Sequence, residues 1–198
     1  MADIGLECTC GKVKGVARNI SPSTARRVIC YCEDCQNFAR KLNRADDVLN
    51  AFGGTEIFQI TPSQVEITQG QDQLRYLKLS EKGIYRWYTD CCKTPAGNMI
   101  GPKLPFLGIV HTFMGKDNAC DKSLGPVRYS VMEQGAIKSP ATSSLVTSST
   151  EMPKAESSAP KFPISLMIKI FARLFLDSLG GKNKPNAYFK PDGTPISD

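Results

Sequence analysis

Three cysteines within six residues, Cys30-Tyr31-Cys32-Glu33-Asp34-Cys35, carry the densest chemistry in this sequence. They are spaced C-x-C-x-x-C and close a short β-branched run, Val28-Ile29. A strand that stops in a tight knuckle can aim all three sulfurs at one point. Thiolate-bound zinc takes four ligands at about 2.3 Å in a tetrahedron. Three ligands from one knuckle leave one position over, and an open position separates a catalytic zinc from a structural one. Two further groups, Cys8-Thr9-Cys10 and Cys91-Cys92, supply the material for a second, closed site. Adjacent cysteines and C-x-C pairs rarely bridge within themselves. Ordinary buried thiols are the plainer alternative for all of them.

An open zinc keeps coordinating thiols deprotonated and holds an incoming thiol as thiolate at neutral pH. A thiolate held beside an aldehyde adds to it and gives a hemithioacetal. Three thiolates around a divalent ion also make it a poor Lewis acid. Such a site is then either purely structural or delivers a thiolate without polarising a carbonyl. Glu33 and Asp34 lie inside the knuckle as proton acceptors or as solvent-facing turn residues. The one histidine, His111, falls in the strand-like Gly108-Ile109-Val110-His111-Thr112-Phe113. It is a proton carrier behind the ligands, a fourth ligand, or a strand histidine satisfied by local hydrogen bonds. Gly97-Asn98 line a pocket or make a turn, and Cys120 reads as a spare thiol.

The elements that must position these groups are mostly strands. Residues 6–19 read as a strand, a Cys-Thr-Cys-Gly turn and a return strand, with Gly11 giving the turn its backbone freedom. Residues 28–31, 55–60, 65–68, 74–79, 83–89 and 106–113 are short apolar or alternating runs parted by Gly, Pro, Asn or Asp. That spacing predicts a mostly β core. Residues 33–49 predict one or two helical turns and then loop. Tyr85, Trp87 and Tyr88 read as core or rim packing rather than a platform for stacking bases.

The domain reading is a zinc-binding β domain over 1–136, a flexible linker over 137–162 and a C-terminal helix with tail over 163–198. The linker is dominated by Ser, Thr, Ala and Pro and cannot bury enough surface to offset its ordering entropy. The run 163–179 predicts a helix, with Pro163 in its first turn, Gly180-Gly181 at its end, and Lys169, Arg173 and Asp177 on one narrow charged stripe. Its wide apolar arc suits docking on the β core, a homodimer contact, or a membrane surface, in that order.

At 198 residues, one domain with an appendage or two small domains are expected. The net charge of +6 is scattered, so no nucleic-acid partner is expected. No secretory signal or transmembrane segment is visible, which predicts a cytoplasmic protein. Eight cysteines in a reducing compartment then point to metal rather than disulfides.

Taken together, Cys8-Thr9-Cys10-Gly11, Cys30-Tyr31-Cys32-Glu33-Asp34-Cys35 and Cys91-Cys92-Lys93-Thr94-Pro95 resemble the glutathione-dependent formaldehyde-activating enzyme family, which includes centromere protein V. The resemblance covers about residues 4–115. It implies an Mss4-like zinc-binding β fold and two Zn2+ sites. The structural zinc would take the first C-x-C plus a late C-x-x-C before Gly-Thr-Pro. The catalytic zinc would take Cys30, Cys32 and Cys35. The implied activity is that of a carbon–sulfur lyase joining or parting a glutathione-like thiol and an aldehyde, as in S-hydroxymethylglutathione. Two departures stand out. Tyr31 replaces the family's usual histidine, and the late pair aligns Cys92 with the second cysteine but Thr89 with the first. Either Cys91 and Cys92 both bind, or Cys92 binds and water or Asp90 completes the shell. The competing class is a non-catalytic, zinc-stabilised protein-binding module.

Overall fold

The computed structural model of the chain describes residues 1–115, 123–137, 152–161 and 164–197. Among these, the strands in chain order are β1 (Ala2–Glu7), β2 (Lys14–Ile20), β3 (Arg26–Cys30), β4 (Thr55–Ile60), β5 (Val65–Gln69) and β6 (Leu74–Leu77). They continue with β7 (Tyr85–Thr89), β8 (Pro95–Met99), β9 (Leu107–Val110), β10 (Tyr129–Val131) and β11 (Ser157–Ser158). The helices are α1 (Glu33–Lys41), α2 (Ala45–Val48) and α3 (Ile164–Leu179). The fold is mostly β, as the short alternating runs predict.

Two sheets make the body. The smaller is antiparallel in the order β1-β2-β5; the larger has the order β11-β10-β3-β4-β9-β8-β7-β6. Among the described residues only β10 pairs in parallel, with β3 on one side and β11 on the other. Cross-strand register decides which side chains share a face. Phe58, Ile109, Gly97 and Trp87 lie in one row across β4, β9, β8 and β7. They join Ile4, Leu6, Ala17 and Ile20 of the smaller sheet in one apolar core. The neighbouring positions Val28, Ile57 and Val110 form a row on the opposite face. There Val110 packs with Ala39 and Val48, so α1 and α2 cover that side. Cys30, Asn98 and Arg86 belong to this helix-covered face by the same register.

The helical content after the knuckle exceeds expectation. α1 runs nine residues, with acidic side chains in its first turn and Arg40 and Lys41 in its last, which complements the helix dipole. Gly97-Asn98, read as a pocket rim or a turn, lie in strand β8, although Gly and Asn are poor strand formers. The strand is wholly buried, and tertiary pairing on both edges overrides that propensity. Conversely the run 106–113 is strand only to Val110; His111 begins a 3-10 turn.

The C-terminal tail enters the core. Tyr188 and Phe189 are buried in the main core. Their ring centroids lie 5.2 and 5.5 Å from that of Trp87, which also stacks at 5.3 Å with Tyr76. In α3, Asp177 was expected on a solvent-facing charged stripe. It is instead buried beside Leu174, against a cleft lined by Arg26, Gln59, Ile60 and Phe106, and it pairs with Lys182 at 2.7 Å. The helix is therefore turned, leaving Ile168, Ala172, Phe175, Leu176 and Leu179 exposed along one side. Of the stretch 137–162 expected as linker, residues 138–151 and 162 lie outside the described residues, as does Cys120. Its described part includes β11, whose backbone continues into bonds from Ala159 N to Ser130 O and from Glu133 N to Ala159 O.

Candidate metal centres

The first centre grows from two turns that belong to different sheets. Cys8 and Cys10 follow β1, where Gly11 takes the left-handed φ of +77° that lets the chain reverse. Cys91 and Cys92 sit in the turn between β7 and β8. That turn closes through Thr89 N to Thr94 O at 2.9 Å and Lys93 N to Thr89 O at 2.7 Å. Sulfur separations are 3.6 Å for Cys8–Cys10, 3.8 Å for Cys8–Cys91, 3.4 Å for Cys10–Cys91 and 3.8 Å for Cys91–Cys92. A tetrahedron with metal–sulfur bonds of about 2.3 Å has edges of ~3.8 Å, and these four separations lie close to that length. All four sulfurs lie within 4.8 Å of one another and can hold a metal ion. Both members of the vicinal pair join the cluster. Asp90, the alternative ligand, pairs with Lys93 instead.

The thiols are supported from outside. The Val13 amide donates to Cys8 Sγ at 3.3 Å. The hydroxyls of Thr89 and Thr94 lie 3.4 and 3.1 Å from Cys92 Sγ. Burial pushes the Cys8 thiol up and the Cys91 thiol up to about 12. Burial opposes ionisation of Cys92 as well, but the hydroxyls of Thr89 and Thr94 together with hydrogen bonds from Cys10 hold that thiol down at about 5. Arg44, at the start of α2, stitches the two turns together. It donates to Cys92 O at 2.7 Å, Thr94 Oγ1 at 3.2 Å and Thr9 Oγ1 at 2.8 Å, while pairing with Asp47.

The second centre lies where β3 runs into α1. Cys30, Cys32 and Cys35 bring their sulfurs within 4.8 Å of one another and can hold a metal ion; no other described His, Cys, Asp or Glu joins them. Cys32 caps α1, and its sulfur accepts the Cys35 amide at 3.4 Å. A thiolate there faces the positive end of the helix dipole. Hydrogen bonds from the Cys30 and Cys35 thiols hold Cys32 far below the ordinary thiol range. The same Cys32 and Cys35 contacts push Cys30 up. Tyr31, where the resemblance leads one to expect histidine, points away into the fold. It is fully buried and its hydroxyl accepts from Asn50 at 3.3 Å.

Three partners of this knuckle were invisible in the sequence. Gln36, buried, donates to Tyr31 O at 3.0 Å and Gly135 O at 2.9 Å, clamping the knuckle to the segment after β10. Gly135 approaches so closely that an added Cβ would lie 2.4 Å from Tyr31 O. Arg86 reaches Cys35 from below. Its sequence setting, a cation between Tyr85 and Trp87 in a strand that also holds Tyr88 and Thr89, carries no mark of that contact. Since backbone must move to admit a methyl group, Gly135→Ala is expected to lose about 1–3 kcal/mol. It should also weaken metal binding at the three-cysteine centre while the four-cysteine centre stays loaded. Denaturant midpoints and metal counting on one preparation check both parts, and unchanged values would remove the clamp from the account.

The remaining candidates do not converge on either centre. His111 Nδ1 lies 3.3 Å from Glu56 O, a local backbone contact, and is neither ligand nor neighbour of the thiols. Glu33 is exposed in the first turn of α1, and Asp34 pairs with Arg86 rather than standing free as a base. Among the described residues no helix is long and apolar enough to cross a membrane.

No curated protein matches the chain. A structural-genomics crystal structure of a Rhodobacter sphaeroides protein is similar at 17% identity, covering 63% of this chain and 97% of that one, with a TM-score of 0.39. The family model that matches spans residues 1–198, and the chain belongs to that family, a family of unknown function designated DUF6151.

Proposed function

We propose that the chain is a two-zinc protein of the formaldehyde-activating type, with an Mss4-like fold and carbon–sulfur lyase chemistry on a thiol–aldehyde adduct. The observation that carries the reading is the contrast between the two centres: four thiols fill a tetrahedron at one, and three thiols leave a position at the other. Soft thiolate sets favour zinc among the common divalent ions of the cell. Bound at the three-cysteine centre, the ion supplies an electrostatic hold on an incoming thiol as thiolate.

The chain's own residues set the geometry for that step. Cys30 and Cys32 are partly exposed and Cys35 is buried, so a ligand approaches from the Cys30–Cys32 side. The α1 N-terminus stabilises negative charge at Cys32. In the forward direction the thiol sulfur bonds to the aldehyde carbon, and the thiol proton ends on the former carbonyl oxygen. Solvent carries that proton, since Asp34 is engaged by Arg86. One observation favours the second reading, a zinc-stabilised binding module without catalysis: Cys35 and its neighbouring cation are both buried, as in a structural site.

The test is metal counting combined with exchange NMR. Wild type is expected to bind two zinc ions and to accelerate exchange among formaldehyde, glutathione and their adduct. Cys32→Ser is expected to bind one ion, keep its fold and lose all acceleration. Two ions with no acceleration over buffer would leave the binding module. A single ion unaffected by Cys32→Ser would sink the open centre.

A further inference from the structure

We propose that Arg86 is the charge partner of the three-cysteine centre and makes its open position select an anionic sulfur ligand over a neutral nitrogen ligand. The proposal rests on the reading above, that this centre holds a divalent ion with one position open. Arg86 is 3% exposed, so its charge sits inside the protein on the helix-covered face of the larger sheet. A buried guanidinium requires compensation, since leaving such a charge unpaired costs several kcal/mol. Its polar neighbours among the described residues are few. Asn98 Oδ1 accepts at 3.2 Å but carries no charge. Asp34 Oδ2 lies at 3.4 Å, yet that carboxylate is 63% exposed and screened by water. Phe38 offers a ring face with its centroid 5.6 Å from the guanidinium carbon. The remaining neighbour is Cys35 Sγ, 3.9 Å from Nη1 and buried like Arg86 itself.

The charges of the loaded centre then complete the account. Three thiolates on a divalent ion leave one net negative charge, which the single charge of Arg86 balances. A neutral fourth ligand leaves that balance unchanged. A thiolate in the fourth place adds a second negative charge beside a partly buried cluster, and there the fixed cation matters most. An opposite charge within about 4–6 Å shifts such an equilibrium by roughly 1–3 logarithmic units. Arg86 is a positioning residue: it meets no substrate directly and acts through Cys35 and the field at the ion. Asn98 accepts from the same Nη1 that faces the sulfur and so holds it in place, while Asp34 draws on Nη2.

The experiment uses full-length protein loaded with cobalt(II), whose sulfur-to-metal charge-transfer and d–d bands report ligand exchange at the open position. The Cys32→Ser protein gives the spectrum of the four-cysteine centre alone. 2-Mercaptoethanol and imidazole are titrated separately into wild type, Arg86→Gln and Arg86→Lys. The expected result is at least tenfold weaker thiol binding in Arg86→Gln, imidazole binding within about threefold of wild type, and Arg86→Lys in between. Asp34→Asn, a surface change that does not threaten folding, is expected to tighten thiol binding about two- to threefold and leave imidazole alone, because it frees Arg86 from a competing anion. Equal weakening of both probes in Arg86→Gln would reduce Arg86 to a packing role and overturn the proposal. So would an unchanged thiol affinity in Asp34→Asn if Arg86→Gln does not fold. A wild-type protein that takes up no second cobalt overturns the underlying two-ion reading, and this one with it.

Discussion

Cys8→Ser is expected to unfold the protein rather than simply to strip it of an ion. Cys8 is 2% exposed and accepts the Val13 amide, so its sulfur is part of the turn that ends β1. Its three partner thiols include Cys91 and Cys92, which come from the other sheet. An ion held there would fasten two layers whose facing surfaces are the main core. Apparent zinc-binding free energies at structural sites run to about 10–16 kcal/mol, comparable with or larger than the ~5–15 kcal/mol by which a domain of this size is stable. Losing one thiolate weakens that binding and leaves a buried hydroxyl with poorer partners. Circular dichroism should show loss of the cooperative transition, and the soluble yield should fall. A chelator should reproduce the effect in wild type. A Cys8→Ser protein with wild-type Tm would mean the four thiols stabilise nothing, and the structural assignment would fail.

Deleting residues 183–198 is expected to produce the second-largest loss. Sequence polarity suggests a dispensable tail, but Tyr188 and Phe189 bury both rings in the main core and cover Trp87. Each buried aromatic contributes about 1.5–3 kcal/mol by burial alone, so removing both costs roughly 3–6 kcal/mol and uncovers the indole. The truncated protein should bind an apolar dye, unfold at lower urea and aggregate on warming. Unchanged midpoints would show that this segment only rests on the surface.

The chemistry was more legible in the sequence than the architecture that serves it. Thiols two or three residues apart in a knuckle are constrained to a common point by local geometry. The C-x-C-x-x-C and C-x-C spacings therefore announced their clusters, and the mostly β core followed from alternation. What supports those clusters is remote. Arg86 lies 51 residues from the sulfur it approaches, and Arg44 lies 48 from the carbonyl it holds. No local pattern links them. Strand β8 escaped the reading because Gly97 and Asn98 are turn formers held in a sheet by two neighbours. The side of α3 that packs was misread because a helix apolar over most of its girth gives no unique orientation. Tyr188-Phe189 has no place legible in the sequence, because two aromatic residues make no periodic pattern.

The two ends of the larger sheet are short: β6 offers four residues and β11 only two, both serines. An edge strand is a template on which a stray chain can add itself, and its length sets how many rungs the intruder gains. Here the parallel extension through β10 tapers to almost nothing before it meets water. Edges this short give a stray chain few rungs on which to polymerise.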